Sequence, residues 1–366
     1  MKRSLLLPLF LSGLIFTATR TMAQLQSAGG KDSITRLLRV YEDNDGINDF
    51  GQSTDDAYTN GTRIDLYYRP THRPHGLLGK LAPDAGPGSI DFYSWGLVQL
   101  MYTPNDYTQT GFQPHDYPYS GALLATHSRY SYNPVKKYSI QTELAMGALG
   151  PMSLAHQTQS IVHHLTGYLQ PMGWNTQFRN SPLLNINLTA EKQLASAGEI
   201  FRVIGGAQLF TGTMQNSAAL YPLLIFGKMN PYFEGLFGQY MAGRGPDGRK
   251  KWQTYFFAKP QLQYSLTNAL LEGGIFSTNP NIHKAGANKP SPAAQSQTQQ
   301  SSTFAQQPPP PPAAIPALQH WVSTFSYGAV VSHGDFAISF AQNVGSTTLK
   351  GLYCHDWGNI SLYFGW

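Results

Sequence analysis

Apolar and polar residues alternate with a period of two along much of this chain, the spacing expected of strands that show two different faces. In KKYSIQTELAMGALG, Ile140, Thr142, Leu144, Met146 and Ala148 share one face, and Ser139, Gln141, Glu143, Ala145 and Gly147 share the other. In LLNINLTAE, Leu184, Ile186, Leu188 and Ala190 oppose Asn185, Asn187, Thr189 and Glu191. TRIDLYY sets Ile64, Leu66 and Tyr68 against Arg63, Asp65 and Tyr67, which predicts one lipid-like face and one polar, partly charged face. The closing GNISLYFGW puts Ile360, Leu362, Phe364 and Trp366 on one side. Alternating segments and the turn clusters between them predict about ten to fourteen strands, an even number if they close a barrel.

Two segments break the pattern. GPMSLAHQTQSIVHHLTGY changes to helical spacing: Ser153 is placed to cap a helix, and Leu154, Thr158, Ile161, Val162 and Leu165 fall along one stripe. That stripe is expected to pack on the wall or rim, with His163, His156 and Gln159 pointing away and His164 at its edge. From Ala285 to Pro316 runs a Gln, Ser, Ala and Pro tract that cannot bury a core, and its Pro308 to Pro312 run favours polyproline II. It lies between strand-like regions, Trp252 to Glu272 and Gln319 to Val331, and so predicts an inserted disordered loop. With the N-terminus periplasmic and Ser332 to Asp335 a periplasmic turn, the loop is extracellular.

Composition decides which kind of sheet this is. Residues 1–23 open with the basic pair Lys2 and Arg3, followed by an apolar run and a small residue at Ala23, the form of a secretory signal peptide, so 24–366 is expected as the barrel domain. Removing Lys2, Arg3 and Arg20 leaves basic and acidic residues nearly balanced, and charge points to no nucleic-acid partner. The single cysteine, Cys354, cannot make an internal disulfide. Charged residues are only 12%, yet no later apolar run approaches a spanning helix. An exported, charge-poor, aromatic-rich chain with alternating strands fits an all-β class: an antiparallel transmembrane β-barrel, integral to the outer membrane. Oligomeric state is not written in the pattern, and a monomer is the simplest expectation.

Common catalytic signatures are absent: there is no G-x-S-x-G elbow, no H-E-x-x-H, and no second cysteine for a paired-cysteine metal site. GRGPDG, Gly243 to Gly248, matches G-x-G-x-x-G by chance, because a strand-like KKWQTYFF follows it where a phosphate site needs a helix. YEDNDGINDFGQSTDDAYTNG remains, with six acidic residues and three Asn between Tyr41 and Gly61. Carboxylates and amide carbonyls at such spacing suit a hard cation such as calcium. On a strand Asp43 and Asp45 share one face and Asn44 the other, so convergence requires the strand to end or bulge near Gly46.

YEDNDGIND, DDAYTNGTRIDLYY, LMYTPND, HDYPYSG and GALGPMSLAHQTQSIVHHLTG, with GW after it, follow one another in an order and spacing that resembles the outer-membrane lipid A 3′-O-deacylases. The resemblance covers most of the exported chain and is densest from Leu38 to Trp174. It implies a barrel of twelve strands, calcium dependence, a lipid A (lipopolysaccharide) substrate within the outer-membrane lipids, and hydrolysis of the 3′-linked acyloxyacyl ester, a carboxylic ester hydrolase activity. Carried over by position, it makes His163 the general base acting on water. Its Asn-Asp pair falls on Asn44 and Asp45, or with a one-residue shift on Asp43 and Asn44, and its Thr falls on Thr59. Metal ligands are expected at Asp43 and Asp45. Gln109 stands about where some members have Lys, and HHLTGYLQP lacks an acidic residue that members carry after the His. Outside the resemblance, an outer-membrane phospholipase or a non-catalytic pore or adhesin would fit the same barrel.

Overall fold

A computed structural model describes residues 34–48, 57–71, 76–275, 283–284 and 314–366. The expected signal peptide at 1–23, residues 49–56 of the acidic segment and 285–313 of the Pro-rich tract lie outside the described residues. Twelve antiparallel strands close into a barrel: β1 Arg36–Asn44, β2 Ala57–Tyr68, β3 Ile90–Thr103, β4 Ser120–Asn133, β5 Tyr138–Leu149, β6 Ser181–Ala197, β7 Phe201–Gly212, β8 Gln215–Lys228, β9 Trp252–Asn268, β12 Trp321–His333, β13 Phe336–Gly345 and β14 His355–Gly365. A two-residue parallel pair, β10 His283–Lys284 and β11 Ala314–Ile315, lies outside the barrel. The ring closes where β1 pairs with β14, from Leu37 opposite Gly365 to Asn44 opposite Gly358. Among the described residues no helix is long and apolar enough to cross a membrane; the strands make the crossing.

The alternation sorts inside from outside as expected. Ile64, Leu184, Ile186 and Leu220 are exposed, whereas Asp65 and Asn185 are buried. An exposed Leu is unfavourable in water but matched in a bilayer, so the outer wall is a lipid-facing surface. Inside, Arg39 donates to Asp65 at 2.6 Å, and Arg63 donates to Asp65 at 2.9 Å and to Glu143. Burying these charges is tolerable because each carboxylate faces a guanidinium.

The end where β1 begins and β14 finishes carries the short 134–137, 198–200 and 334–335 turns, which makes it periplasmic. Here the 229–251 connection folds into the lumen. Following α1, Leu77–Leu81, and α2, Ala155–Thr166, its helix α3, Leu236–Tyr240, carries Phe237, which packs with Met241 among Leu37, Tyr67, Phe92, Tyr130 and Tyr363. Tyr240 stacks on Tyr363 with centroids 4.0 Å apart. Tyr232 donates to Glu191 at 2.8 Å, and Tyr221 on β8 donates to its other oxygen at 2.9 Å. At the outer mouth, Leu270 and Leu271 of helix α4, Ala269–Glu272, pack with Phe178, Leu183, Leu318 and Leu349. Packed side chains at both mouths argue against an open pore.

GRGPDG forms a turn closed by an Arg244–Lys250 bridge and leads into β9, as expected of a chance match.

Candidate functional site

Period two places Leu37, Arg39, Tyr41 and Asp43 of β1 toward the lumen and Glu42 and Asn44 toward the outer wall. Asp43 sits in a cage of donors: Tyr41 at 2.7 Å and Tyr58 at 3.0 Å to one oxygen, Asn359 at 3.0 Å to the other. On the outer face Glu42 accepts from Thr62 at 2.7 Å and from Asn60. Asn60 also donates to the Asp43 carbonyl at 3.0 Å. The expected end of the strand is present. A 3₁₀ turn, Asp45–Ile47, begins directly after Asn44, whose Oδ1 accepts from Gly46 N at 2.7 Å.

This turn folds onto the outer wall. Ile47 covers Gly358, and Asn48 accepts from Gln342 at 2.8 Å, a position sharing its face with exposed Ile338 and Val344. Asp45 is buried in the turn. Opposite it, β2 has a bulge between Tyr58 and Asn60, so Thr59 is the extra residue. Thr59 Oγ1 lies 2.5 Å from Thr103 Oγ1, at the end of β3. Gly61 is required here, because a Cβ would collide with the Tyr58 hydroxyl that reaches Asp43.

Helix α2, Ala155–Thr166, lies on the same outer wall. Gln99, on the outward face of β3, donates to the Ser153 carbonyl at 2.7 Å. Gly121 on β4 lets the helix approach, since a Cβ there would meet Ala155 and Ser153. Met101, Tyr119, Ala155 and Trp174 form the contact. Ser153 ends a preceding 3₁₀ turn, and the residue before the helix is Leu154 in the left-handed region; the Ser153 hydroxyl instead accepts from Ala155 N at 3.3 Å.

The helix is turned the opposite way from the sequence expectation. Ala155, Gln159 and His163, one turn apart in series, are the buried face, while Leu154, Ile161 and Leu165 are exposed. The sequence expectation set the apolar stripe against the wall or rim, whereas outside this wall is lipid, which takes the apolar stripe and leaves the polar one for the protein. Gln159 accepts from Trp174 Nε1 at 2.7 Å. His163 is 2% exposed, with Tyr107 edge-on at 5.3 Å and Tyr168 at 5.7 Å between centroids. Its Nδ1 lies 2.5 Å from the Leu169 carbonyl. A carbonyl only accepts, so Nδ1 carries the proton and, in the neutral ring, Nε2 carries the lone pair. Tyr107 is held by its own carbonyl, which accepts from Met172 N at 2.9 Å and the Tyr119 hydroxyl at 2.7 Å.

Asn44, Thr59 and His163 thus stand on the outer wall near the extracellular rim, on β1, on β2 and on the helix seated over β3 and β4. Asp43 faces the lumen. Glu42, Asn60, Thr62, Thr103 and Tyr107 belong to this patch and were not singled out by sequence. Their signal was present, because Glu42 and Thr62 are polar at positions whose parity faces lipid. Gln109, where a cation was sought, donates to Asp106 at 2.8 Å in an exposed loop. The Thr108 hydroxyl, which donates to the same carboxyl at 2.6 Å, and the Gln109 bond hold Asp106 below the usual carboxylate range. Among the described residues no three His, Cys, Asp or Glu side chains are grouped as a metal site would need. Asp43 fits calcium poorly, its oxygens being taken by three donors. Asp45, Asn44 and Thr59 are hard oxygen donors of the type calcium takes.

The sequence profile described as outer membrane protein LpxR matches residues 9–289. No curated protein sequence is significantly similar to the chain. Among solved structures, LpxR from Salmonella typhimurium is similar at a TM-score of 0.63 and 13% identity, covering 90% of this chain and 100% of that one, which establishes a shared fold. The β domain of the Bordetella autotransporter BrkA aligns at a TM-score of 0.40 and 8% identity, over 92% of this chain and 99% of that one. The translocator domain of the autotransporter NalP from Neisseria meningitidis aligns at 0.38 and 7%, over 97% and 96%. Neither autotransporter likeness is close enough to carry an argument. With the profile spanning most of its length and the closed barrel of twelve strands, the chain belongs to the outer membrane protein LpxR family, integral β-barrels of the outer membrane that modify lipid A.

Proposed function

We propose that this protein hydrolyses the 3′-linked acyloxyacyl ester of lipid A in the outer leaflet, in a calcium-dependent reaction with His163 as general base. The observation that carries the reading is the inverted helix. A buried imidazole with one nitrogen fixed by the Leu169 carbonyl stands on the lipid side of the barrel wall, where an acylated substrate lies.

In the proposed reaction Nε2 takes a proton from water, and the hydroxide attacks the ester carbonyl carbon. The tetrahedral intermediate collapses with loss of the sugar alkoxide, which recovers the proton from the imidazolium. Asn44 Oδ1 is engaged by Gly46 N, which leaves its Nδ2–H groups to donate to the oxyanion, and the Thr59–Thr103 hydroxyl pair offers a second donor. Asp45 and the Thr59 hydroxyl oxygen would hold calcium, with the second lone pair of Asn44 Oδ1 as a further donor, and its charge would offset that of the oxyanion. The exposed Leu154, Ile161 and Leu165 would meet the acyl chains. Tyr107 and Tyr168 shield the imidazole, so entry of the ester requires the exposed Tyr168 to turn aside.

The test is to incubate the full-length barrel in detergent with lipid A, and separately with phospholipid vesicles lacking lipid A, and to weigh the products by mass spectrometry. Loss of one acyloxyacyl unit from lipid A, with phospholipids intact, is expected. Fatty acid released only from phospholipid would replace this reading with a phospholipase.

A further inference from the structure

A groove of about 780 Å³ runs along the outer wall across β5 to β8, toward the periplasmic end of these strands and so at the opposite end of the wall from His163. It lies within the size range of small-molecule sites. Its floor consists of small outward residues, Ala190, Gly205 and Ala207, and its ridges are Leu194 and Leu220, both strongly exposed. Tyr138 is at its periplasmic end, directly paired with Lys192 across β5 and β6. The Lys192 ammonium donates to the Lys136 carbonyl and lies 5.9 Å from the centre of the Tyr138 ring. Lys136 and Lys137, both exposed, continue the cluster on the β4–β5 turn. The nearby acidic groups do not cancel it: Asp84 is 3.6 Å from Arg129, and Glu199 belongs to the next turn, between β6 and β7.

An apolar channel in a lipid-facing wall, ending in three cations at the periplasmic membrane surface, has the polarity of one lipid molecule. We infer that this groove binds a glycerophospholipid of the periplasmic leaflet, with an acyl chain between the Leu194 and Leu220 ridges and its phosphate at Lys136, Lys137 and Lys192. The site is separate from the proposed hydrolytic patch and does not depend on it.

Native mass spectrometry of the full-length barrel, titrated with phosphatidylglycerol and with a diacylglycerol of the same chains, tests this. The wild type should take a first phosphatidylglycerol about tenfold more tightly than the diacylglycerol, as expected of several lysines at one phosphate. The K136E/K137E/K192E variant should lose that preference, and the triple Lys→Arg variant should keep it. Ala207→Trp, which fills the floor, should weaken both lipids in a barrel whose strand circular dichroism is unchanged. Soluble glycerol phosphate should not compete, since it lacks the chain. Equal binding of both lipids by the wild type, or by the wild type and both groove variants, would overturn the inference, as would full competition by glycerol phosphate.

Discussion

Two sets of buried polar side chains, one toward each end of this barrel, lie on opposite faces of its wall. At the periplasmic end Glu191, Tyr221 and Tyr232 meet inside the lumen, and they tie the inserted 229–251 segment to the wall. At the outer end Glu42, Asn60, Thr62 and His163 are sheltered on the outside, between the wall and α2 or along the wall itself. Polar groups in a lumen can be explained by stability alone, since the lumen must be filled. Polar groups on the lipid side cost desolvation without filling anything, and are better explained by chemistry on a lipid.

Substitutions on the two faces should differ in whether they cost rate or stability. The largest effect short of the base itself is expected at Asn44. Asn44→Ala should lower the deacylation rate about a hundredfold, the scale for losing one oxyanion donor. Asp43→Asn, one residue away but lumen-facing, should leave the rate within a few-fold and reduce stability by about 1–3 kcal/mol. Rates and urea midpoints for the pair measure this directly, and equal rate losses would remove the distinction between the two faces. Gly121→Val comes next: a branched side chain would push α2 off the wall, so the rate should drop at least about tenfold while the strand signal persists.

Tyr232→Phe should do the reverse. It leaves Glu191 with one donor, lowering stability by about 1–2 kcal/mol in a denaturant titration while the rate is kept. The smallest effect is at the turn between β12 and β13. Burial pushes the Asp335 carboxyl up, but the bond from Lys250 at 2.5 Å and the nearby cations outweigh it and hold it below the usual carboxylate range. A depressed folded value means that this pair stabilises the protein above the ordinary Asp range. The contribution fades as pH falls through the folded value. The pair is partly exposed, so Asp335→Asn should cost about 1 kcal/mol or less at neutral pH, and the difference should vanish in strong acid.

The barrel was legible because period two survives in the sequence wherever one face meets lipid and the other the lumen; Ile64 and Asp65 sort themselves without neighbours. The helix was legible in extent but not in orientation. Its stripe of Leu154, Ile161 and Leu165 was read correctly, but which side it faces depends on the solvent beyond the wall, which periodicity does not encode. His163 could be singled out as standing off that stripe, yet its burial and its bond to Leu169 depend on a chain reversal at Gly167, left-handed at φ 75°. Asp43 and Asp45 share a parity, but the 3₁₀ turn after Asn44 cancels it, sending one into the lumen and the other onto the outer wall. Glu42 and Thr62 could have been found by asking which lipid-facing positions are polar.

On the proposed reading, the lipid side of the outer rim holds the hydrolytic base. The direct test weighs lipid A after incubation with the wild type and with His163→Ala, each with calcium and with a chelator. One acyloxyacyl unit should be lost with the wild type and calcium alone, with the variant slower by roughly 10²–10⁴-fold in an intact barrel. Equal deacylation by the folded His163→Ala variant would contradict the account.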